Sequence, residues 1–356
     1  VAGVFYVTRE EVKNALDYQQ TAYSDALVDT QIDAASRAIE GRLHRRFYPT
    51  YGTWYFDWPN FDYAYPWRLW FNQYELAAIP TSVTSGGTSI PLSACNFEPV
   101  NDGPPYTYLE LRRDQSYAFG VGPTPQRDVA ITGPRGYNLN TIPAGSVPAG
   151  GLTSGATSIN LGVPGYRGVG SILLIDTEYL IVTGRSSAST GTTLQGNITA
   201  QMNSNLLPVT DITQYVVGET LLIDAERMRV LDAAGSNLIV KRATDGTTLA
   251  AHNSGATIYA QRQLTVTRGA LGTTAASHLA AAPVAEHDPP GLIRDLALVE
   301  AAAHLLRIPA GFPVPISRRT PTGISDVLPG SVPSDLGDMW DQAITDYGRK
   351  ARKRVI

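Results

Sequence analysis

The chain of 356 residues has one cysteine, Cys95, so no intramolecular disulfide can form and no thiolate pair offers a zinc-ligand spacing. That residue reads as a small, half-buried apolar side chain. Charge is also scarce: 17% of residues are charged and the formal net charge is −4, which excludes a protein that coats nucleic acid over its whole surface. Local basic patches stay open. No run of about eighteen apolar residues occurs, so no membrane span is expected. The opening VAGVFYVTREE lacks the basic start, apolar run and cleavage site of a signal peptide, and the chain is expected to be soluble and made in a reducing compartment. No phosphate-loop, G-x-S-x-G, H-E-x-x-H or C-x-x-C motif is present; GVPGYRGVG at 162–170 is glycine-rich, but no lysine follows it and it reads as turns.

Glycine (33) and proline (24) are plentiful, which favours many short strands and turns. Helical spacing is confined to the two ends. Thr8-Arg9-Glu10-Glu11 fits a capping box with a Val7–Val12 staple, predicting a short helix over 9–19. Ser24 or Asp25 then caps a long helix whose stripe is Val28, Ile32, Ala35, Ile39 and Leu43, and which is expected to stop at Tyr48-Pro49. Near the C-terminus, Leu292, Leu296, Val299, Ala303 and Leu306 form a second stripe, and Leu336, Trp340, Ala343 and Tyr347 a third. The expected fold class is α+β: a small helical bundle from the N- and C-terminal segments, with large antiparallel β-rich insertions. The expected organisation is a helical part at 1–50, a β-rich domain at 51–140, a linker at 141–156 and a repeat-containing β module at 157–287. A body helix at 288–309, an extended Pro-rich arm at 310–333 and a helix with a basic end at 334–356 complete it.

Three features attract functional readings. Trp54, Trp58, Trp67 and Trp70 crowd into 51–74, either as a stacking platform for sugars or bases or, the favoured reading, as strand core and subunit contact. The second is an internal repeat. Leu173-Leu174-Ile175-Asp176-Thr177-Glu178 recurs as Leu221-Leu222-Ile223-Asp224-Ala225-Glu226, and Arg-x3-Gly-Thr-Thr-x3-His occurs at Arg242–His252 and again at Arg268–His278. His252 and His278, with Asp224 and Glu226, are the sharpest candidates for catalysis or metal binding, but duplicated structural hairpins produce the same pattern and are the preferred account. No metal, cofactor or enzymatic activity is expected. The last eight residues carry Arg349, Lys350, Arg352, Lys353 and Arg354, read either as cations at a helix C-terminus or as a contact for DNA phosphates or an acidic surface.

The order of these segments carries a resemblance. A capped short helix, ALVDTQIDAASRAIEGRLHRRFYP, a W-x3-W-P strand, RLWFNQYEL, NDGPPYTYLEL, QRDVAITGPRGY and finally LIRDLALVEAAAHLLRI resemble the head-to-tail adaptor (connector) proteins of tailed bacteriophages, over roughly 5–137 and 288–308. The β module departs from the minimal, mainly helical member. The resemblance implies a structural virion protein of the neck, made in the host bacterial cytoplasm. It would form a homo-oligomeric ring, usually of twelve copies, that meets the portal protein and the next neck or tail protein (a stopper or terminator) and surrounds genomic DNA non-specifically, without a membrane. On that reading Ile32, Ile39, Leu43, Trp54, Trp58, Trp67 and Trp340 serve interfaces, and Arg349, Lys350, Arg352, Lys353 and Arg354 touch portal or DNA. The alternative is a carbohydrate-binding tail-tip or baseplate protein using the tryptophan cluster. A hydrolase with an unrecognised site is the remote third.

Overall fold

A computed structural model describes residues 3–16, 23–59, 65–161, 167–307 and 335–349. It is an α+β protein in which helices from both ends of the chain share one core and antiparallel sheets fill the span between them. Helix α1 (Arg9–Leu16) begins with the expected box: the Thr8 amide donates to Glu11 Oε2 at 2.8 Å and the Glu11 amide to Thr8 Oγ1 at 3.2 Å. Helix α2 (Asp25–Leu43) is capped by the Ser24 hydroxyl, and its stripe Val28, Ile32, Ala35, Ile39 and Leu43 is completely buried. That stripe packs against Ile293, Leu296, Ala297, Ala301 and Leu305 of α3 (Gly291–Arg307) and against Leu336, Trp340 and Ala343 of α4 (Asp335–Tyr347).

Helix α2 ends earlier than Pro49 requires. His44 takes the left-handed conformation (φ 51°), and the Leu43 carbonyl, which has no partner within the helix, accepts from the Arg349 amide at 3.1 Å. Arg45 in turn donates to the Tyr347 carbonyl at 2.8 Å. The C-terminal ends of α2 and α4 therefore satisfy each other's free carbonyls, with an arginine at each to meet the negative end of the helix dipole.

The first β unit has its own core. Strands β1 (Thr50–Phe56), β3 (Ser82–Ser85), β4 (Thr88–Ile90) and β7 (Val129–Arg135) form a sheet in the order β1-β7-β3-β4. Strands β2 (Arg68–Trp70), β5 (Cys95–Glu98) and β6 (Tyr108–Leu111) form a second, so the span expected as a β-rich domain, 51–140, holds two sheets. Cys95 is buried, in line with its apolar reading.

The rest is one ten-stranded antiparallel sheet containing β8 (Thr141–Ser146), β9 (Ser158–Asn160), β10 (Ile172–Ile175), β11 (Glu178–Thr193), β12 (Leu206–Pro208), β13 (Thr220–Ile223), β14 (Glu226–Ala234), β15 (Asn237–Lys241), β16 (Thr257–Ala270) and β17 (Pro283–His287). Residues 141–156, expected to be a linker, are not one. Thr141–Ser146 is an edge strand paired with β17, and Leu152 bridges to His278; Gly and Pro here mark the turns and a bulge of an edge strand. The Pro-rich arm at 310–333 lies outside the described residues, as do 17–19 of the first expected helix and 162–166 of the glycine-rich run.

Candidate functional site

The repeated motifs build two copies of one unit, and the copies are nested. In the first, Leu173 pairs with Leu180 and Glu286; in the second, Leu221 pairs with Met228 and Ala260. Every such pair maps by +48 on one side of the insertion and by −26 on the other. The match extends to an irregularity in register: Val182/Gly184 in β11 recurs as Val230/Asp232 in β14. Strands β14 and β15 are joined at Gly235-Ser236 by a tight turn, whereas their counterparts β11 and β16 run on past Ser186 and Gln263 and carry the whole second copy at their far end. Each copy has a separate apolar core.

Both copies centre on a buried carboxylate. Glu226 accepts from Arg242 Nε and Nη2 at 2.7 Å each, from the Ala243 and Ala250 amides at 2.9 Å, and from His252 Nε2 at 3.0 Å. Glu178 repeats this with Arg268, Gly269, Ala276 and His278 at 2.7–2.9 Å. The other ring nitrogen of each histidine faces an exposed aspartate, Asp224 at 2.6 Å and Asp176 at 2.7 Å. Both aspartates sit at φ 52°, the left-handed turn position that closes the hairpin and that Asp tolerates better than most side chains. The guanidinium ends finish on carbonyls: Arg242 on Thr199, Ser204 and Ala250, and Arg268 on Thr153, Ala156 and Ala276.

Burial alone would raise both glutamates, but bidentate arginine, two amides and the histidine outweigh it and hold each at about 2. With five donors on one carboxylate, no lone pair points to a reactant. These groups anchor the turn Gly-Thr-Thr and strand ends around it; Thr247 and Thr273 complete the anchor by capping the Thr244 and Ala270 carbonyls. Among the described residues no cluster of His, Cys, Asp and Glu is placed to hold a metal, and no helix is long and apolar enough to cross a membrane. The copies touch different neighbours: in the second, Asp245 and Arg229 bond Lys13 and Asn14 of α1 at 2.9 and 2.7 Å. Gly272 in the first presses on strand β1, where an added Cβ would stand 1.9 Å from the Tyr51 carbonyl, and the Tyr51 amide donates to Leu271 at 2.7 Å. The first copy is thereby stitched to the first β unit.

The residues expected at interfaces divide into two groups. Ile32, Ile39 and Leu43 are completely buried within their own chain, and Trp340 is nearly so, with Arg42 stacked 4.2 Å from its ring and its indole donating to Glu300 at 3.4 Å. These four are corrected from contact surface to helical core: α1, α3 and α4 enclose the α2 stripe, which the sequence pattern alone shows only as an apolar face. Trp54, Trp58 and Trp67 are half-buried against the core of the first β unit and keep one side open. Trp58 packs on Phe119 (4.8 Å) and Trp67 lies under Arg113 (4.6 Å). Arg349 is held by Glu75, with Nη2–Oε2 at 2.9 Å, beside Arg45 on the same carboxylate. Lys350, Arg352, Lys353 and Arg354 lie outside the described residues.

Other buried polar anchors were not singled out from sequence. Arg262 pairs with Glu219 in the second copy, and Asp128 gathers the Ser85 hydroxyl with the Gly120 and Gly122 amides in the first β unit. No protein-family model, no curated protein and no solved structure matches the chain.

Proposed function

We propose that this chain is a structural protein of the phage neck, a head-to-tail adaptor whose copies ring the DNA path between portal and tail and dock the next tail component. The observation that carries the proposal is the assembly of α1 and α2 with α3 and α4 in one core, with both β units inserted between the two halves of that body. This is the order of parts on which the resemblance rests. In support, the sharpest candidates for chemistry, the two Glu-Arg-His-Asp clusters, are occupied as fold anchors. Function on this reading resides in surfaces, and the half-open Trp54, Trp58 and Trp67 belong to one of them.

Imaging of purified virions, with the native mass of the isolated protein, tests the proposal. A ring at the neck is the expected result; a position at the tail tip or on the capsid overturns it. The carbohydrate-binding alternative has one observation in its favour. On the outer face of the three-stranded sheet, Trp70 and Tyr108 lie 4.2 Å apart, and Arg68 is stacked between Tyr65 and Tyr108. Tryptophan fluorescence that responds to host wall glycans would select that reading.

A further inference from the structure

Where the ends of α2 and α4 meet strand β7, the surface sinks into an open cleft of about 600 Å³. Arg37, His44, Arg45, Arg46, Arg135 and Arg349 line it, against one acidic residue in the lining, Glu40; Glu75 lies just beneath. The ion pairs leave charge over. Glu75 is shared by Arg45 and Arg349, and Glu40 is taken by Arg37 at 2.7 Å, leaving Arg46 at 3.9 Å from it with a side chain 46% exposed. Arg135 is half-buried and, among the described residues, has no carboxylate partner; its guanidinium lies 4.5 Å from the Tyr74 ring centre. Burial, then the charges of Arg46 and Arg349, press its pKa down.

The chemistry of the cleft narrows the ligand. Guanidinium forks suit the paired oxygens of phosphate and of carboxylate, so the ligand is an oxyanion. A groove that docks a peptide needs an apolar or aromatic pocket for an anchoring side chain, and this lining supplies none: Gly41 and Gln73 complete it, and the Tyr74 ring is covered by Arg135. With no free ring for base stacking and no apolar anchor, recognition is confined to a repeating charged backbone. In sequence, Lys350, Arg352, Lys353 and Arg354 follow Arg349 directly.

We infer that this arginine cleft binds the phosphodiester backbone of double-stranded DNA, independently of base sequence. The inference stands apart from the neck assignment, because binding is measured on the isolated chain whereas location is measured on the particle.

The test is fluorescence anisotropy of a labelled 20-base-pair duplex titrated with the full chain between 50 and 200 mM salt. Two phosphate contacts, from Arg46 and Arg135, give a slope of about −2 in log affinity against log salt. Arg46→Gln with Arg135→Gln should weaken binding at least tenfold and flatten the slope by about 2, with thermal unfolding unchanged. A variant with Lys350, Arg352, Lys353 and Arg354 all changed to Gln separates the cleft from the following residues and should still bind. Absence of binding at 50 mM salt overturns the inference. So does binding that survives the cleft variant, binding abolished by the tail variant, or displacement of the duplex by polyglutamate at equal charge concentration, which would mark an acidic protein segment as the ligand.

Discussion

Replacing Glu226 by Gln keeps the shape of the side chain and removes its charge. Arg242, whose side chain is fully buried, then loses its counterion, and an amide N–H₂ is turned toward groups that are themselves donors. Breaking a buried pair in this way costs about 3–5 kcal/mol. The loss should fall first on the second copy, which has its own core, built on β12 to β15 and the outer end of β16. If that copy opens, the ribbon of the first copy is closed by a disordered loop from 187 to 262, roughly 75 residues instead of a tight turn, adding about 2–3 kcal/mol of closure entropy. Hydrogen–deuterium exchange read by mass spectrometry resolves the two costs. In E226Q, protection of Leu221–Val230 should fall by at least a hundredfold, protection of Leu173–Val182 should fall less, and α2 and α3 should be unchanged. The mirror variant E178Q should reverse the order of the two copies. Equal losses in both copies from either variant would refute the nested reading, since the sheet would then melt as one unit.

Acid should loosen both copies together. Glu178 and Glu226 are held near 2 in the fold against 4.5 unfolded, so their stabilisation is complete above pH 4.5 and is lost as pH falls toward 2, by about 3 kcal/mol each; circular dichroism across that range should show β structure lost in this window. His287 is pressed below its ordinary value by burial while its Nε2 donates to the Phe47 carbonyl at 2.8 Å. Its stabilisation is present above about pH 6.5 and declines as pH falls, so melting temperatures should drop from pH 8 to 5 less in His287→Asn than in the parent. Ile39→Ala should cost about 2–5 kcal/mol in chemical denaturation, as expected of core and not of an interface. Gly272→Ala should lower the melting temperature, because its φ is positive and an added Cβ would meet the Tyr51 carbonyl; an unchanged melting temperature would argue against the stitch.

The helices were legible because amphipathic spacing and capping are local. Thr8, Ser24 and the stripe from Val28 to Leu43 state their roles within a few residues of themselves. The stop at His44 was not legible, since it depends on a carbonyl partner, Arg349, three hundred residues away. The strand at 141–146 was hidden for a similar reason: edge strands tolerate Pro and Gly, so their composition reads as linker until β17 pairs with them. The repeat was visible but its nesting was missed, although the sequence carries the signal. A tandem duplication preserves one offset, whereas here the first motif recurs at +48 and the second in the order Arg242 before Arg268, with the inner pair belonging together. The arginine cleft drew no attention because Arg135, Arg46 and Arg349 are far apart in sequence and converge only through the fold.

Ser186 and Gln263 face each other across the ribbon, so the second copy leaves and rejoins its parent at neighbouring points. Such a junction accepts any folded unit whose two ends lie a strand spacing apart, and it accepts none at all if the gap is bridged by a two-residue turn. The ribbon is thus a graft site. Cargo there can be exchanged, multiplied or deleted while the buried stripe of α2 keeps the same sequence; in the helical body it is Lys13 and Asn14 of α1, bonded to Asp245 and Arg229, that must answer the change.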